Sequence, residues 1–275
     1  MKIKSKPLTL SLVIPVYNEE DHIEACLDSI ASQSLSPLEV IVVDNGSTDT
    51  SVALAKRYDF VTLIHASQRG IAYARNAGFE AAQGDIIGRI DADTRLGPDW
   101  VEQMTEFLTL HPKELLTGGS YLYDLAWPKF YGWIQGQIAF RANRLILGHY
   151  IAWGSNMAFR RSLWDEIKYE VHNDPLIHED IDLGMHLHDK GYKITYRPNL
   201  KVGIDSRLFS QKRTTREQHI KYLVMWPKTL EMHNKKRAWI GWAGVYLVYC
   251  SYLPLLAVNH IGKVYRYLIP ADQEI

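Results

Sequence analysis

Glu39-Val40-Ile41-Val42-Val43-Asp44-Asn45-Gly46-Ser47 decides the architecture. Its consecutive β-branched residues suit a strand buried on both faces, as in a parallel sheet covered by helices. Asp44-Asn45-Gly46-Ser47 is turn chemistry that ends the strand, and a helix is expected through Val52 and Leu54. The pattern recurs on either side. Residues 10–14 read as an earlier strand, followed by a helix capped by Asn18, with Asp21 as a capping-box-like partner and Ile23, Leu27 and Ile30 on one face. Residues 61–64 read as a third strand and 71–82 as an alanine-rich helix. Residues 85–90 give a fourth strand that stops at Asp91-Ala92-Asp93. Such β–α succession predicts an α/β fold with a mainly parallel central sheet. Ligands in these sheets collect beyond the carboxyl ends of the strands, where Tyr17, Asp44 and Asp91 all fall.

The second half is less regular. An aromatic-rich helix is expected over 127–147, and a strand over 150–159 that contains Trp153-Gly154-Ser155. A helix is expected from His178 to about Gly191, then a strand over 192–196 closed by Pro198. Residues 207–221 read as a basic loop or helix.

Composition excludes several classes. The 275 residues balance 31 Lys+Arg against 31 Asp+Glu, so the bulk basic footprint of a nucleic-acid binder is missing. Cys26 and Cys250 are far apart and make neither a CxxC metal site nor a disulfide framework. The basic start at Lys2, Lys4 and Lys6 precedes an apolar run interrupted by Thr9, Ser11 and Pro15, with no small-residue cleavage site. It reads as a buried strand of a cytoplasmic protein. Residues 238–262 carry no Asp, Glu, Lys or Arg and include Trp239, Trp242, Tyr246, Tyr249 and Tyr252. That length would span a bilayer, which needs about 20 apolar residues, but Gly241, Gly244, Ser251, Pro254, Asn259 and His260 dilute it. Aromatics at helical spacing behind Lys235-Lys236-Arg237 suit a helix lying in the headgroup region, or one docked on the protein's own surface.

Three groups carry chemistry. Asp91 and Asp93, two apart, present both carboxylates on one side of an extended chain, which suits Mg²⁺ or Mn²⁺ as well as a simple turn. Tyr17 can stack on a base and Asp44 can accept from a ring N–H such as the uracil imide; core packing and a helix cap are the alternatives. Glu179, Asp180 and Asp182 crowd a helix start, where they favour the dipole or, if buried together, supply a general base. Arg69, Arg75 and Arg89 could meet phosphate or sit in ion pairs. His178 could be a metal ligand or structural. No GxGxxG after the first strand, Walker loop, HExxH helix or GxSxG elbow is present.

In this order, Val13-Ile14-Pro15-Val16-Tyr17-Asn18-Glu19-Glu20, Val42-Val43-Asp44-Asn45-Gly46-Ser47-Thr48-Asp49, Gly70-Ile71-Ala72-Tyr73-Ala74-Arg75-Asn76-Ala77-Gly78, Asp91-Ala92-Asp93 and Glu179-Asp180-Ile181-Asp182-Leu183 resemble the family 2 glycosyltransferases of the GT-A fold. The resemblance implies a GT-A-type Rossmann-like sandwich over residues 1–205. Its nucleotide-binding half would cover about 8–95 and its acceptor-binding half about 96–205, followed by a basic segment and an apolar helical tail over 206–275. It implies inverting transfer from a nucleotide-diphosphate sugar, with UDP favoured. Pro15, Tyr17, Glu19 and Asp44 would hold the nucleoside, with Arg75 near them or the phosphates. Asp91, Ala92 and Asp93 would form the D-x-D segment, Asp93 being the direct ligand of Mn²⁺ or Mg²⁺. Asp180 would be the catalytic base, and Glu179, Trp153, Gly154 and Ser155 would face the acceptor.

The Q-x-x-R-W motif of processive members is missing, since the comparable stretch reads Gln211-Lys212-Arg213-Thr214-Thr215-Arg216. Single-sugar transfer is therefore expected, onto a saccharide or lipid-linked saccharide, in cell-envelope or exopolysaccharide synthesis at the cytoplasmic face of the membrane. Arg213 and Arg216 could close over the diphosphate or form a solvated basic face. Two other readings stay open: a nucleotidyltransferase of related fold, and a non-catalytic sugar-nucleotide or lipid-binding subunit.

Overall fold

The computed structural model describes residues 7–124, 128–205 and 216–234. Four strands, β1 (Leu10–Val16), β2 (Glu39–Asp44), β3 (Val61–His65) and β4 (Ile86–Arg89), are parallel neighbours in the order β3-β2-β1-β4. The helices between them are α1 (Ile23–Ala31), α2 (Ser51–Ala55) and α3 (Ile71–Ala81). Alternation within β1 and β2 explains the two-sided burial. Leu12, Ile14, Val40 and Val42 pack in one core with Ile23 and Leu27 of α1. Val13, Ile41 and Val43 pack in a second core with Ala74 and Phe79 of α3. Helices therefore cover both faces, as the β-branched run predicts.

Beyond β4 the sheet changes direction. After α4 (Trp100–Leu110) come β5 (Glu114–Leu122), α5 (Pro128–Gln135), a π-helical segment (Gly136–Ala142) and α6 (Asn143–Leu147). Next are β6 (Met157–Arg160), α7 (Arg161–Ile167), α8 (Glu179–Asp189), β7 (Lys193–Ile204) and α9 (Arg216–Asn234). The complete order is β3-β2-β1-β4-β6-β5-β7, with β6 antiparallel to both β4 and β5. Because Met157 at the start of β6 pairs with Arg89 at the end of β4, the residues just before β6 lie at the carboxyl end of β4. Trp153, Gly154 and Ser155 reach the first-half motifs by this pairing.

Three local expectations are corrected. Asn18 does not cap α1, which begins at Ile23. Instead it adopts a left-handed backbone (φ 54°) and its Oδ1 accepts the Thr48 N–H at 2.8 Å, tying the loops after β1 and β2 together. The strand expected over 150–159 is only Met157–Arg160, and 153–156 form a loop. Pro198 does not end β7, which continues to Ile204 past an irregularity opposite Gly118/Gly119. A Cβ on Gly118 would stand 2.2 Å from the Leu200 carbonyl oxygen, so only glycine admits that bulge.

Among the described residues no helix is long and apolar enough to cross a membrane. The apolar stretch 238–262, Cys250 and Arg213 lie outside the described residues.

Candidate active site

The carboxyl ends of β1, β2 and β4 place the expected donor-side residues in a row. Val16 pairs with Asp44, and Asp44 with His65. Pro15 sits half-buried in β1 opposite Val43, and Tyr17, 44% exposed as a residue, follows β1. Arg69 lies over that ring, 4.6 Å from its centroid, and its guanidinium donates to the Tyr17 hydroxyl. Asp44 is buried. Its Oδ1 accepts the Ser47 N–H at 2.9 Å and its Oδ2 lies 3.1 Å from His65 Nδ1. Burial alone would raise its pKa, but the Ser47 hydrogen bonds and His65 outweigh this and hold the carboxyl below its ordinary value. Asp44 thus closes the turn at Ser47 and does not cap the next helix, which begins at Ser51 behind Thr50.

Glu19, Ala92 and Asp93 are buried next to this row, and Asp91 is a third exposed. Cys26 lies under the D-x-D segment, its Sγ 3.7 Å from the Asp91 carbonyl oxygen. Burial, reinforced by the negative field of Asp93, Asp91 and Glu19, pushes its thiol pKa well up and leaves it unreactive. The two hard carboxylates, with this concentrated negative field, fit a divalent cation such as Mg²⁺ or Mn²⁺. Asp91 is itself held in place: Ser155 Oγ donates to its Oδ2, and Arg89 Nη2 lies 3.0 Å from its Oδ1.

Arg89 organises the rest. It is 1% exposed, at the last position of β4. Its Nη2 also pairs with Glu179 Oε1 at 2.9 Å, and its Nη1 stands 4.0 Å from Asp180 Oδ2. One guanidinium therefore bridges the D-x-D segment and the first turn of α8. Burial alone would lower its pKa, but Asp91, Glu179 and Asp180 raise it instead. Gly154 lies directly against this group, because a Cβ there would be 1.2 Å from Arg89 Nη1. The Gly154 N–H donates to Asp180 Oδ2 at 2.8 Å, and the Ile181 N–H donates to Oδ1 at 2.8 Å. Burial pushes the Glu179 and Asp180 pKa values up, against the lowering by Arg89.

The structure thus gathers Asp91, Ser155, Gly154, Glu179 and Asp180 around Arg89. Trp153 is adjacent, packed against Phe140, with its indole N–H buried and without a partner among the described residues. Arg75, expected near the nucleoside-holding residues or the phosphates, spends its guanidinium on the protein itself. It is completely buried and its Nη1 donates to the Glu179 carbonyl oxygen, while Nε and Nη2 donate to Asn76 Oδ1 at 2.9 and 2.7 Å. Burial lowers its pKa to about 10, still cationic at neutral pH. Arg89 likewise serves the carboxylates of the protein, the ion-pair alternative for this residue. Burial also lowers the pKa of His178, at the N-cap of α8, whose backbone N–H is taken by Thr229 Oγ1 at 2.9 Å; the structural alternative holds there too.

Comparison with known proteins bears on the fold and the family. The glycosyltransferase EpsH of Bacillus subtilis is 39% identical over 99 residues, covering 34% of this chain and 29% of EpsH. The glycosyltransferase AglE of Haloferax volcanii is 38% identical over 101 residues, 34% of this chain and 33% of its own length. The chain thus spans about a third of the length of these curated relatives. Among solved structures, the mannosyltransferase PcManGT of Pyrobaculum calidifontis, in complex with GDP-Man and Mn²⁺, superposes with a TM-score of 0.64 at 20% identity, covering 96% of this chain and 81% of its own. S. aureus TarS 1-349 in complex with UDP-GlcNAc gives 0.59 at 17%, covering 82% of this chain and 68% of its own. At these identities the structures speak for the GT-A fold. Residues 11–168 match the profile of glycosyl transferase family 2, more than half of the sequence and most of the motifs described above, and the chain belongs to that family.

Proposed function

We propose that the chain transfers a single sugar from a nucleotide-diphosphate donor to an acceptor hydroxyl, with inversion. The observation that carries this reading is the Arg89 guanidinium, which joins Asp91 of the D-x-D segment to Glu179 and Asp180 at the start of α8. A donor-side carboxylate and a candidate base are thereby held at one buried centre.

In this reading Tyr17 and Asp44, with Pro15 and Glu19, receive the nucleoside. Asp93 and Asp91 would hold the divalent cation, whose chemistry there is to neutralise charge on the departing diphosphate. Asp180 removes the proton of the acceptor hydroxyl as that oxygen attacks the anomeric carbon from the face opposite the leaving group. Its raised pKa suits a group that must take up a proton near neutral pH. Gly154 N–H and Ile181 N–H fix its carboxylate plane, while Arg89 stabilises its charged form. Trp153, Ser155 and Glu179 form the adjacent acceptor wall. Positioning is a large part of such catalysis, and Asp91, Glu179 and Asp180 are all held by the one Arg89 guanidinium.

The structural relatives with GDP-Man and Mn²⁺ or with UDP-GlcNAc support a nucleotide-sugar donor. A uridine donor is favoured by Asp44, whose carboxylate could accept from the uracil imide. A role in polysaccharide or glycan synthesis follows from sugar transfer of this kind, and the curated relatives are glycosyltransferases by name. A location at the cytoplasmic membrane face, with peripheral contact through the aromatic stretch 238–262, completes the reading. Purified protein incubated with UDP-, GDP- and dTDP-sugars and Mn²⁺ should hydrolyse one donor slowly. Inertness towards all of them, with and without metal, would overturn it.

A further inference from the structure

Asp182, two residues beyond Asp180 on α8, is completely buried and has a separate set of partners. Its Oδ1 lies 2.7 Å from His172 Nδ1, 2.7 Å from His233 Nε2 and 3.5 Å from His186 Nε2. His172 Nδ1 and His186 Nε2 are 3.4 Å apart. One ligand atom from each of the four residues lies within 4.8 Å of all the others. The residues come from three segments: the α7–α8 connection (His172), α8 (Asp182 and His186) and α9 (His233).

Two independent features point to a cation among them. The first is the donor set. Hydrogen bonding alone asks one carboxylate oxygen to serve three imidazole nitrogens, while Oδ2 is already taken by the His172 backbone N–H at 2.9 Å. Three imidazoles and one carboxylate are instead a tetrahedral zinc set. With metal–ligand bonds of about 2.0–2.2 Å, its ligand atoms stand about 3.3–3.5 Å apart. The 3.4 and 3.5 Å separations already match, and the two 2.7 Å contacts need to open by less than about 1 Å.

The second feature is what lies behind the rings. His186 Nδ1 is 3.9 Å from Glu170 Oε2, and His233 Nδ1 is 3.9 Å from Asp189 Oδ2. At 3.9 Å these carboxylates are not hydrogen-bonded, but their charge favours the proton on the outer nitrogen and the Nε2 lone pair inward, the sense found behind metal-bound histidines.

We propose that His172, Asp182, His186 and His233 bind a structural zinc ion that fastens α9 to α8. The imidazole-rich set selects zinc over the Mg²⁺ or Mn²⁺ that suits the all-oxygen D-x-D pair. Two polar contacts already run alongside the clip: Thr229 Oγ1 accepts the His178 N–H at 2.9 Å, and Lys228 Nζ lies 2.6 Å from Asp174 Oδ2. A bound ion would hold α9 against the helix whose first turn carries Asp180. The site rests on its own geometry and does not depend on the proposed transfer reaction.

The test uses the full chain, purified without a histidine tag. After dialysis against zinc and then metal-free buffer, one zinc per chain should remain, and equally in the Asp91→Asn/Asp93→Asn variant. Cobalt(II) should give visible d–d bands of tetrahedral intensity, and zinc should raise the thermal midpoint. His186→Ala/His233→Ala should lose the ion, as should the milder His172→Gln in proportion. No retained zinc in the folded wild type, a weak octahedral cobalt spectrum, or undiminished zinc in His186→Ala/His233→Ala would overturn the proposal. None of these readouts involves sugar transfer, so failure here and failure of the Asp180 reading are separately visible.

Discussion

Arg89 and Gly154 are in such close contact that a Cβ on residue 154 would stand 1.2 Å from Arg89 Nη1. The guanidinium is buried and paired with Asp91 and Glu179, so it cannot swing into solvent to make room. Gly154→Ala should therefore displace Arg89 from its carboxylates and move the N–H that fixes Asp180. A shift of about 1 Å at reacting groups costs on the order of 100-fold in rate. Steady-state kinetics should show kcat falling by about that factor, with donor KM changed much less.

Replacing Arg89 itself should be felt in stability as well as rate. Arg89→Met removes the nearest counter-charge of Glu179 and Asp180 at a buried site, where breaking such a pair costs about 3–5 kcal/mol. Urea unfolding should show the midpoint falling accordingly. Arg89→Lys keeps the charge but cannot bridge two carboxylates as a planar fork, and should fall between. An unchanged midpoint for both variants would count against the bridge.

Asp180→Asn should abolish turnover while leaving donor binding intact, since the proposed base is not among the groups proposed to hold the donor. Loss of a general base costs about 10²–10⁴-fold. Burial raises the Asp180 pKa, so the protonated, inactive form persists to a higher pH than for an ordinary Asp near about 3.9. The acidic limb of kcat/KM should consequently lie above that value. A limb at or below it would assign the base elsewhere.

Asp44→Asn should weaken nucleoside diphosphate binding, read by calorimetry with UDP and GDP. It should also change the acid stability profile. The folded pKa of Asp44 is depressed, so its stabilisation is present above the unfolded value of about 3.9 and is lost as pH falls through the folded value. The wild type should exceed Asp44→Asn in stability at neutral pH, and the difference should shrink below about pH 4. A constant difference across that range would contradict the Ser47 and His65 contacts as its source.

Much of the first half was legible because its signals are local. The run Val40–Val43, the turn at Asp44-Asn45-Gly46-Ser47 and the stop at Asp91-Ala92-Asp93 each report on their own neighbourhood. The misread parts depend on distant partners. Residues 153–156 look like the middle of a strand over 150–159, but the Asn156 side chain is taken up by Trp100 Nε1 and by the Gly119 and Leu200 carbonyls. Pro198 reads as a strand end, and only Gly118 on a neighbouring strand lets the chain bulge and continue.

Arg75 and Arg89 show the same limit at the site. Sequence marks both as phosphate candidates, but their partner Glu179 is about a hundred positions further along the chain. The histidine cluster was less legible still. The Asp182/His186 spacing of four on one helix is its one local trace, and His172 and His233 join it through folding alone.

The antiparallel seating of β6 between β4 and β5 also bears on how far such a chain can be recombined. The residues proposed for donor and acceptor belong to different stretches of sequence, yet Ile86–Arg89 and Met157–Arg160 are zipped edge to edge in the middle of one sheet. Separating the stretches would bare a fully buried strand edge, a template for association with other chains. Exchange of specificity between relatives is therefore easier through substitutions in the loop at Trp153–Ser155 than by swapping whole halves.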